Sequence, residues 1–201
     1  MVDPTPQLEA LRRSPLAHLT DALAAGSGDA VALAEEPFLT MVSVRVGPGS
    51  AAAGRIGRIL DLELPRRCGE VAAMGRHAAL WLGPDEWLVV STATPVALAD
   101  QLETALGADR GQVVDVSANR TTLALTGERA REVLEKACPA DLHPRAFGPG
   151  SAVTTTLARI PVLLWQTGPA AYRILPRSSF ADYVARWLLD AMREYAGAQA
   201  R

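Results

Sequence analysis

Gly83-Pro84-Asp85-Glu86-Trp87-Leu88-Val89-Val90 is the stretch on which the organisation of this chain turns. Two neighbouring acids stand between a Gly-Pro step and an apolar run that opens with a tryptophan. They are either a catalytic pair or the polar tip of a hairpin. Paired carboxylates do acid–base work only where they converge in a cleft that separates their pKa values. Adjacent acids at a tight turn point into water instead, and turn chemistry alone accounts for the Gly, Pro and Asp, since proline presets φ for the turn. The stretch therefore reads as a hairpin between the strands AALWL and WLVVS. A four-residue connection sets Leu82 opposite Trp87 and Trp81 opposite Leu88.

Working outward, PFLTMVSVRV reads as a strand with Phe38, Thr40, Val42, Val44 and Val46 on one face by period two. Gly47-Pro48-Gly49 stops it, and Ser50 is placed to cap a helix that runs to about Leu60 with Ala52, Ile56, Ile59 and Leu60 on one side. Residues 65–77 read as loop. TPVALADQLETALG is a helix with Leu98, Leu102, Ala105 and Leu106 at helical spacing, and QVVDVS is the next strand. Residues 38–117 thus read βαββαβ, a ferredoxin-like α+β lobe. Residues 118–201 read as a second α+β lobe. It has a strand at RTTLALTG, a helix from Glu128 to Ala137, a proline-marked loop, and strands at AVTTTLA, IPVLLWQ and AYRILP. Its last helix carries a capping-box pattern at Ser179 and Asp182, then Phe180, Tyr183, Val184, Trp187, Leu188, Ala191 and Tyr195 at helical spacing.

Residues 1–37 hold Pro4, Pro6 and Pro15, a Gly26-Ser27-Gly28 break and few large apolar side chains. They read as a partly extended segment that needs partner surface to lie against, because ordering each residue costs ~1–2 kcal/mol of backbone entropy. Trp81, Trp165 and Tyr172 are candidates for such an interface, a setting that favours Trp, Tyr and Arg. Trp81 and Trp87 suit a core equally well.

Composition bounds the function. The 201 residues are 49% hydrophobic, yet no apolar run reaches the ~18 residues of a membrane span. The first residues lack the apolar core of a signal peptide. A net charge of -2 gives no electrostatic pull toward nucleic acid or an anionic membrane. Lys136 is the single lysine among twenty cationic residues, so amine chemistry rests on one residue at a helix end. Cys68 and Cys138 are far apart and in no C-x-x-C, which suits a reducing cytoplasm.

The remaining motifs are weak. Gly47 to Ala52 formally matches a dinucleotide fingerprint between strand and helix, but no second parallel strand ending in an acid follows. His18, His77 and His143 are isolated, without the spacing of a metal site. Asp141 and His143 with Ser151 could be assembled into a triad, though no nucleophile elbow supports it. Ser117 to Arg120 offer polar groups at a strand junction, as a turn or a ligand contact. No residue is assigned as catalytic, cofactor-binding or metal-binding.

Taken together, LGPDEWLVV, DVSANRT with the following LTGERAREVLEKACPADLHP, and WQTGPAAYRILPRSSFADYVARWL resemble the gamma subunit of heterotetrameric sarcosine oxidase over roughly residues 14–192. More distantly, LTGERAREVLEKACPADL resembles the folate-binding domain of the glycine-cleavage T-protein, an aminomethyltransferase. The resemblance implies a non-catalytic subunit of a cytoplasmic complex that oxidises sarcosine to glycine. The methyl carbon would pass to tetrahydrofolate or leave as formaldehyde, with hydrogen peroxide formed. It also implies alpha, beta and delta partner subunits, with FAD, FMN and NAD on alpha and beta and zinc on delta. The alternative is a stand-alone folate-dependent aminomethyl-transfer or folate-binding protein.

Overall fold

A computed structural model describes residues 11–196. Among them lie ten strands in two five-stranded sheets, all paired antiparallel. The first sheet holds β2 (Thr40–Val46), β3 (Val71–Met74), β4 (His77–Gly83), β5 (Glu86–Ser91) and β6 (Gly111–Asp115), in the order β3-β4-β5-β2-β6. Leaving out β3, that is the order of a ferredoxin-like βαββαβ unit. Helices α2 (Ala51–Leu60) and α3 (Pro95–Leu106) supply the two crossovers. Ser50 caps α2 as expected: its hydroxyl accepts the Ala53 amide at 3.2 Å.

The second sheet runs β1-β7-β10-β9-β8, from β1 (Ala32–Glu35), β7 (Leu123–Thr126), β8 (Ser151–Leu157), β9 (Ile160–Gly168) and β10 (Ala171–Pro176). Helices α1 (Thr20–Ala25), α4 (Ala130–Glu135) and α5 (Ala181–Ala196) cover one of its faces. The two sheets meet through Met41, Leu80, Leu88 and Val90 on one side and Leu163, Trp165 and Leu175 on the other. A third set of side chains, among them Val42, Val44, Trp87 and Val89, packs under α2 and α3. The chain is therefore four layers deep, helix–sheet–sheet–helix, and both faces of each sheet are covered.

Several expectations change. Phe38 lies outside the strand with φ +60° and is half exposed. Residues 71–74, read as loop, form edge strand β3, paired in register with β4 from Val71↔Leu80 to Met74↔His77. The hairpin register holds at the tip, where Gly83 faces Glu86, and shifts by one residue across a bulge at Leu82. Trp81 consequently faces Trp87, and Leu80 faces Leu88.

The last helix is also rotated from its expected setting. Ala181, Val184, Ala185, Leu188 and Met192 point inward, while Phe180 and Tyr183 are exposed. A short 3-10 turn at Ser178–Phe180 replaces the capping box. Asp182 instead bonds His18 and Arg186.

The N-terminal segment changes most. Leu16, Leu19, Leu23, Val31 and Leu33 are buried in the core under α4 and α5, and β1 pairs with β7 from Ala32↔Thr126 to Glu35↔Leu123. Leu16 to Glu35 thus find surface to lie against on this chain's own body. Pro4 and Pro6 lie outside the described residues.

Candidate functional site

The hairpin acids sit where a turn places them. Arg45, across the hairpin on β2, approaches Asp85 at 3.4 Å and Glu86 at 4.0 Å, and all three side chains are at least a third exposed. Such a pair is screened by water and does not converge in a cleft. The flanking tryptophans differ. Trp87 is fully buried, with its indole N–H donating to the Pro65 carbonyl at 2.8 Å. Trp81 is only partly buried, and its Nε1 has no hydrogen-bond partner among the described residues. Trp165 and Tyr172, expected at an interface, are both core residues, at 6% and 2% exposure.

The Gly47–Ala52 loop does open a helix, but its setting cannot hold a dinucleotide. The Ser50 hydroxyl occupies an amide a phosphate would need, and the neighbours of β2 both run antiparallel to it. What the loop does is head a surface groove of about 520 Å³ along α2. Gly54 and Gly57 leave its floor low, and Arg58, Asp61, Glu63 and Arg66 rim it. Past Pro48 and Gly49 it continues to Trp81 and Pro84. Charged side chains of both signs and a tryptophan edge line the groove, and no nucleophile–base pair does.

The histidines are dispersed. His18 Nε2 lies 2.6 Å from Asp182 Oδ1 on the surface. Hydrogen bonds from Arg186 and then His18 hold that carboxyl below its ordinary value. The Asp141 carboxylate accepts the backbone N–H of His143 at 3.0 Å, and the ring Nδ1 of His143 accepts the Arg145 amide at 3.2 Å. The Asp-Leu-His run is therefore a turn in which the His143 Nδ1 accepts a backbone N–H and does not donate to Asp141, and Ser151 pairs across to Gln166 as a strand residue. No triad is assembled. Among the described residues no three His, Cys, Asp or Glu side chains cluster as a metal site would need. Cys68 is exposed and Cys138 buried, both free. Lys136 bridges α4 to α5, reaching the Glu194 carboxylate, the Ala191 carbonyl and the Tyr195 ring.

One contact escaped the reading of the sequence. His77 and Ser91 are cross-strand partners on β4 and β5, with Nδ1 2.9 Å from Oγ. Burial, and secondarily Arg76, push the imidazole below its ordinary value. The pair is structural rather than catalytic: Ser91 is 2% exposed and its oxygen also accepts the Ala93 amide. Only register brings these residues together, and the sequence carries no local sign of it.

Ser117–Arg120 join the sheets. The Ser117 hydroxyl takes the Met41 amide at 3.0 Å, Asn119 accepts the Ser178 amide, and Arg120 donates to the Leu175 carbonyl at 2.8 Å. Burial, then Arg177, lower the Arg120 pKa. The Ser117 hydroxyl, the Asn119 backbone carbonyl and the Arg120 guanidinium are thus engaged at the crossover between sheets, in a turn.

Residues 46–194 match the model of the sarcosine oxidase, gamma subunit family. The sarcosine oxidase subunit gamma of an Arthrobacter species is 51% identical over 188 residues, 92% of each chain. That of Corynebacterium sp. strain U-96 is 50% identical over 193 residues, 94% of each chain. Among solved structures, a chain of heterotetrameric sarcosine oxidase from Corynebacterium sp. U-96, in complex with pyrrole 2-carboxylate, superposes with a TM-score of 0.89 at 49% identity, covering 95% of this chain and 100% of that one. The glycine cleavage system aminomethyltransferase T of Bartonella henselae shares the fold, with a TM-score of 0.68 at 16% identity over 89% of this chain and 57% of that one. The α+β architecture is thus shared with part of an aminomethyltransferase of the glycine cleavage system. No helix among the described residues is long and apolar enough to cross a membrane.

Proposed function

The chain belongs to the sarcosine oxidase gamma subunit family, and from that premise we propose that it is a non-catalytic subunit that helps hold a sarcosine oxidase together with alpha, beta and delta chains. The observation that supports this most is about half identity sustained over nearly the whole of both chains. In the proposed assembly sarcosine is oxidised to glycine. The methyl carbon passes to tetrahydrofolate or leaves as formaldehyde, and oxygen becomes hydrogen peroxide. FAD, FMN and NAD sit on the alpha and beta chains and zinc on delta; this chain contributes no catalytic, cofactor or metal residue. The complex works in the cytoplasm.

The test is subunit omission. All the subunits are expressed together with and without this chain, then separated by size and assayed for sarcosine-dependent peroxide. The expected outcome is an active complex that contains this chain, no stable complex without it, and no peroxide from the purified chain alone. Full assembly and turnover of the other subunits in its absence would end the proposal. Saturable binding of tetrahydrofolate by the purified chain would move the reading toward a folate-binding protein.

A further inference from the structure

Where β10 ends and α5 begins, the chain runs alongside residues 117–121, and hydrogen bonds stitch the two stretches together. The Thr121 amide donates to the Pro176 carbonyl at 3.3 Å, the Ser178 amide to the Asn119 carbonyl at 2.9 Å, and the Ser178 hydroxyl to the Ala118 carbonyl at 2.8 Å. Between these rungs Arg120 and Arg177 stand directly opposite each other in an isolated antiparallel bridge. The backbone bonds belong to the residues on either side. The arginines are therefore a non-hydrogen-bonded pair, the setting that brings side chains closest, with Cα atoms ~4.5 Å apart. Like charges placed in this way oppose the pairing.

No ion pair among the described residues offsets that repulsion. The acids on adjoining elements are engaged elsewhere: Asp182 with His18 and Arg186, Glu35 with Ser14 and Thr121, Glu36 with Arg173, and Asp115 with Ser117. Arg120 is held in place, since its guanidinium donates to the Leu175 carbonyl at 2.8 Å. The whole chain carries a net charge of -2, so two facing arginines are a local feature and not the overflow of a basic protein.

An exposed aromatic row starts at the same point. Phe180 follows Arg177 by three residues across the 3-10 turn, and Tyr183 follows by three more on the first turn of α5, a spacing that keeps side chains on one side. They are 41% and 51% exposed. The Tyr183 hydroxyl donates to the Ala158 carbonyl at 3.4 Å, which directs the ring toward the β8–β9 turn. Aromatic side chains beside arginine are the composition enriched in protein interfaces and in the contacts that carry their binding energy.

We propose that Arg120, Arg177, Phe180 and Tyr183 form the surface on which another subunit docks, through a segment that carries an Asp or Glu next to an apolar side chain. The carboxylate accepts from the two guanidiniums and turns their repulsion into charge-assisted hydrogen bonds. The apolar side chain covers Phe180 and Tyr183. A second copy of this chain does not fit, because a two-fold contact would bring both arginine pairs together. This inference rests on the subunit role above and adds the place of contact and the chemistry of the partner.

The test compares the assembled complex containing the parent chain with complexes containing Arg177→Gln, Phe180→Ser or Arg193→Gln, each diluted through its dissociation range and read by mass photometry. Arg177→Gln and Phe180→Ser are each expected to raise the apparent Kd of this chain by about tenfold or more. Arg193→Gln, which removes an exposed cation paired with Asp190 at the far end of α5, is expected to leave it unchanged. In the purified chain Arg177→Gln is expected to raise the melting temperature by roughly 1–3 °C, since the repulsion is relieved. A side chain with a merely structural role would lower it. Failure of the parent chain to enter any complex removes the subunit role and this contact with it. A parent that assembles while Arg177→Gln and Phe180→Ser assemble equally tightly overturns this inference alone, as does a lower melting temperature for Arg177→Gln.

Discussion

Gly127→Ala tests whether the N-terminal strand belongs to this chain's own fold. Gly127 ends β7 at φ +115°, where a built Cβ would lie 2.4 Å from the Ala30 carbonyl oxygen and 2.8 Å from Val31 Cα. Real Cβ contacts stay beyond 3.0 Å, so β1 must retreat by at least 0.6 Å (3.0 less 2.4) from a backbone that cannot rotate away. The retreat stretches the Arg129 amide to Ala30 carbonyl bond, now 3.1 Å, and the adjoining Ala32↔Thr126 rung. Two weakened hydrogen bonds at ~1 kcal/mol each, with ~1–2 kcal/mol for an L-residue at positive φ, give about 3 kcal/mol. If the strand opens as a local unit, amide exchange through residues 31–35 should quicken about a hundredfold, since each 1.4 kcal/mol is a factor of ten. Hydrogen exchange read by mass spectrometry on the purified chain, with β9 peptides as the internal reference, measures this. Unchanged exchange at 31–35 together with a loss below ~1 kcal/mol in urea would refute the reasoning. Fast exchange there in the parent chain itself would return the segment to partner-dependent ordering.

Replacing Asp85 with Asn and Glu86 with Gln removes only exposed contacts to Arg45. Stability should change by less than ~1 kcal/mol, and turnover of the assembled oxidase should stay within a few-fold, whereas loss of an acid–base group would cost about 10²–10⁴. Trp87→Phe deletes a buried donor 2.8 Å from the Pro65 carbonyl and leaves a void in the helix-side core. Urea unfolding should report a loss of about 2–4 kcal/mol. His77 has its pKa lowered by burial and by Arg76, so the unfolded chain takes up that proton first as pH falls. Its contribution is complete above the ordinary value of 6.5 and declines below it, and melting temperatures measured down that pH range should fall less steeply in His77→Gln.

What the residues by themselves determined was local. Proline and glycine placed the hairpin tip, Ser50 the start of α2, and the spacing of Leu98, Leu102, Ala105 and Leu106 the buried face of α3. Those choices are made within a few residues of chain, where turn and cap chemistry act. The dispersed motifs carried the family as well. Tertiary structure decided the rest. Val71–Met74 and Ala32–Glu35 are rich in alanine and become strands only because β4 and β7 offer them a ladder. The bulge at Leu82 moved Trp81 from Leu88 to Trp87. Period-two reading also presumes one wet face per sheet, and here both faces are covered, so alternation could not tell which aromatics were interior. Trp165 lies between the sheets and Tyr172 under the helices, although both sit in strands that read alike.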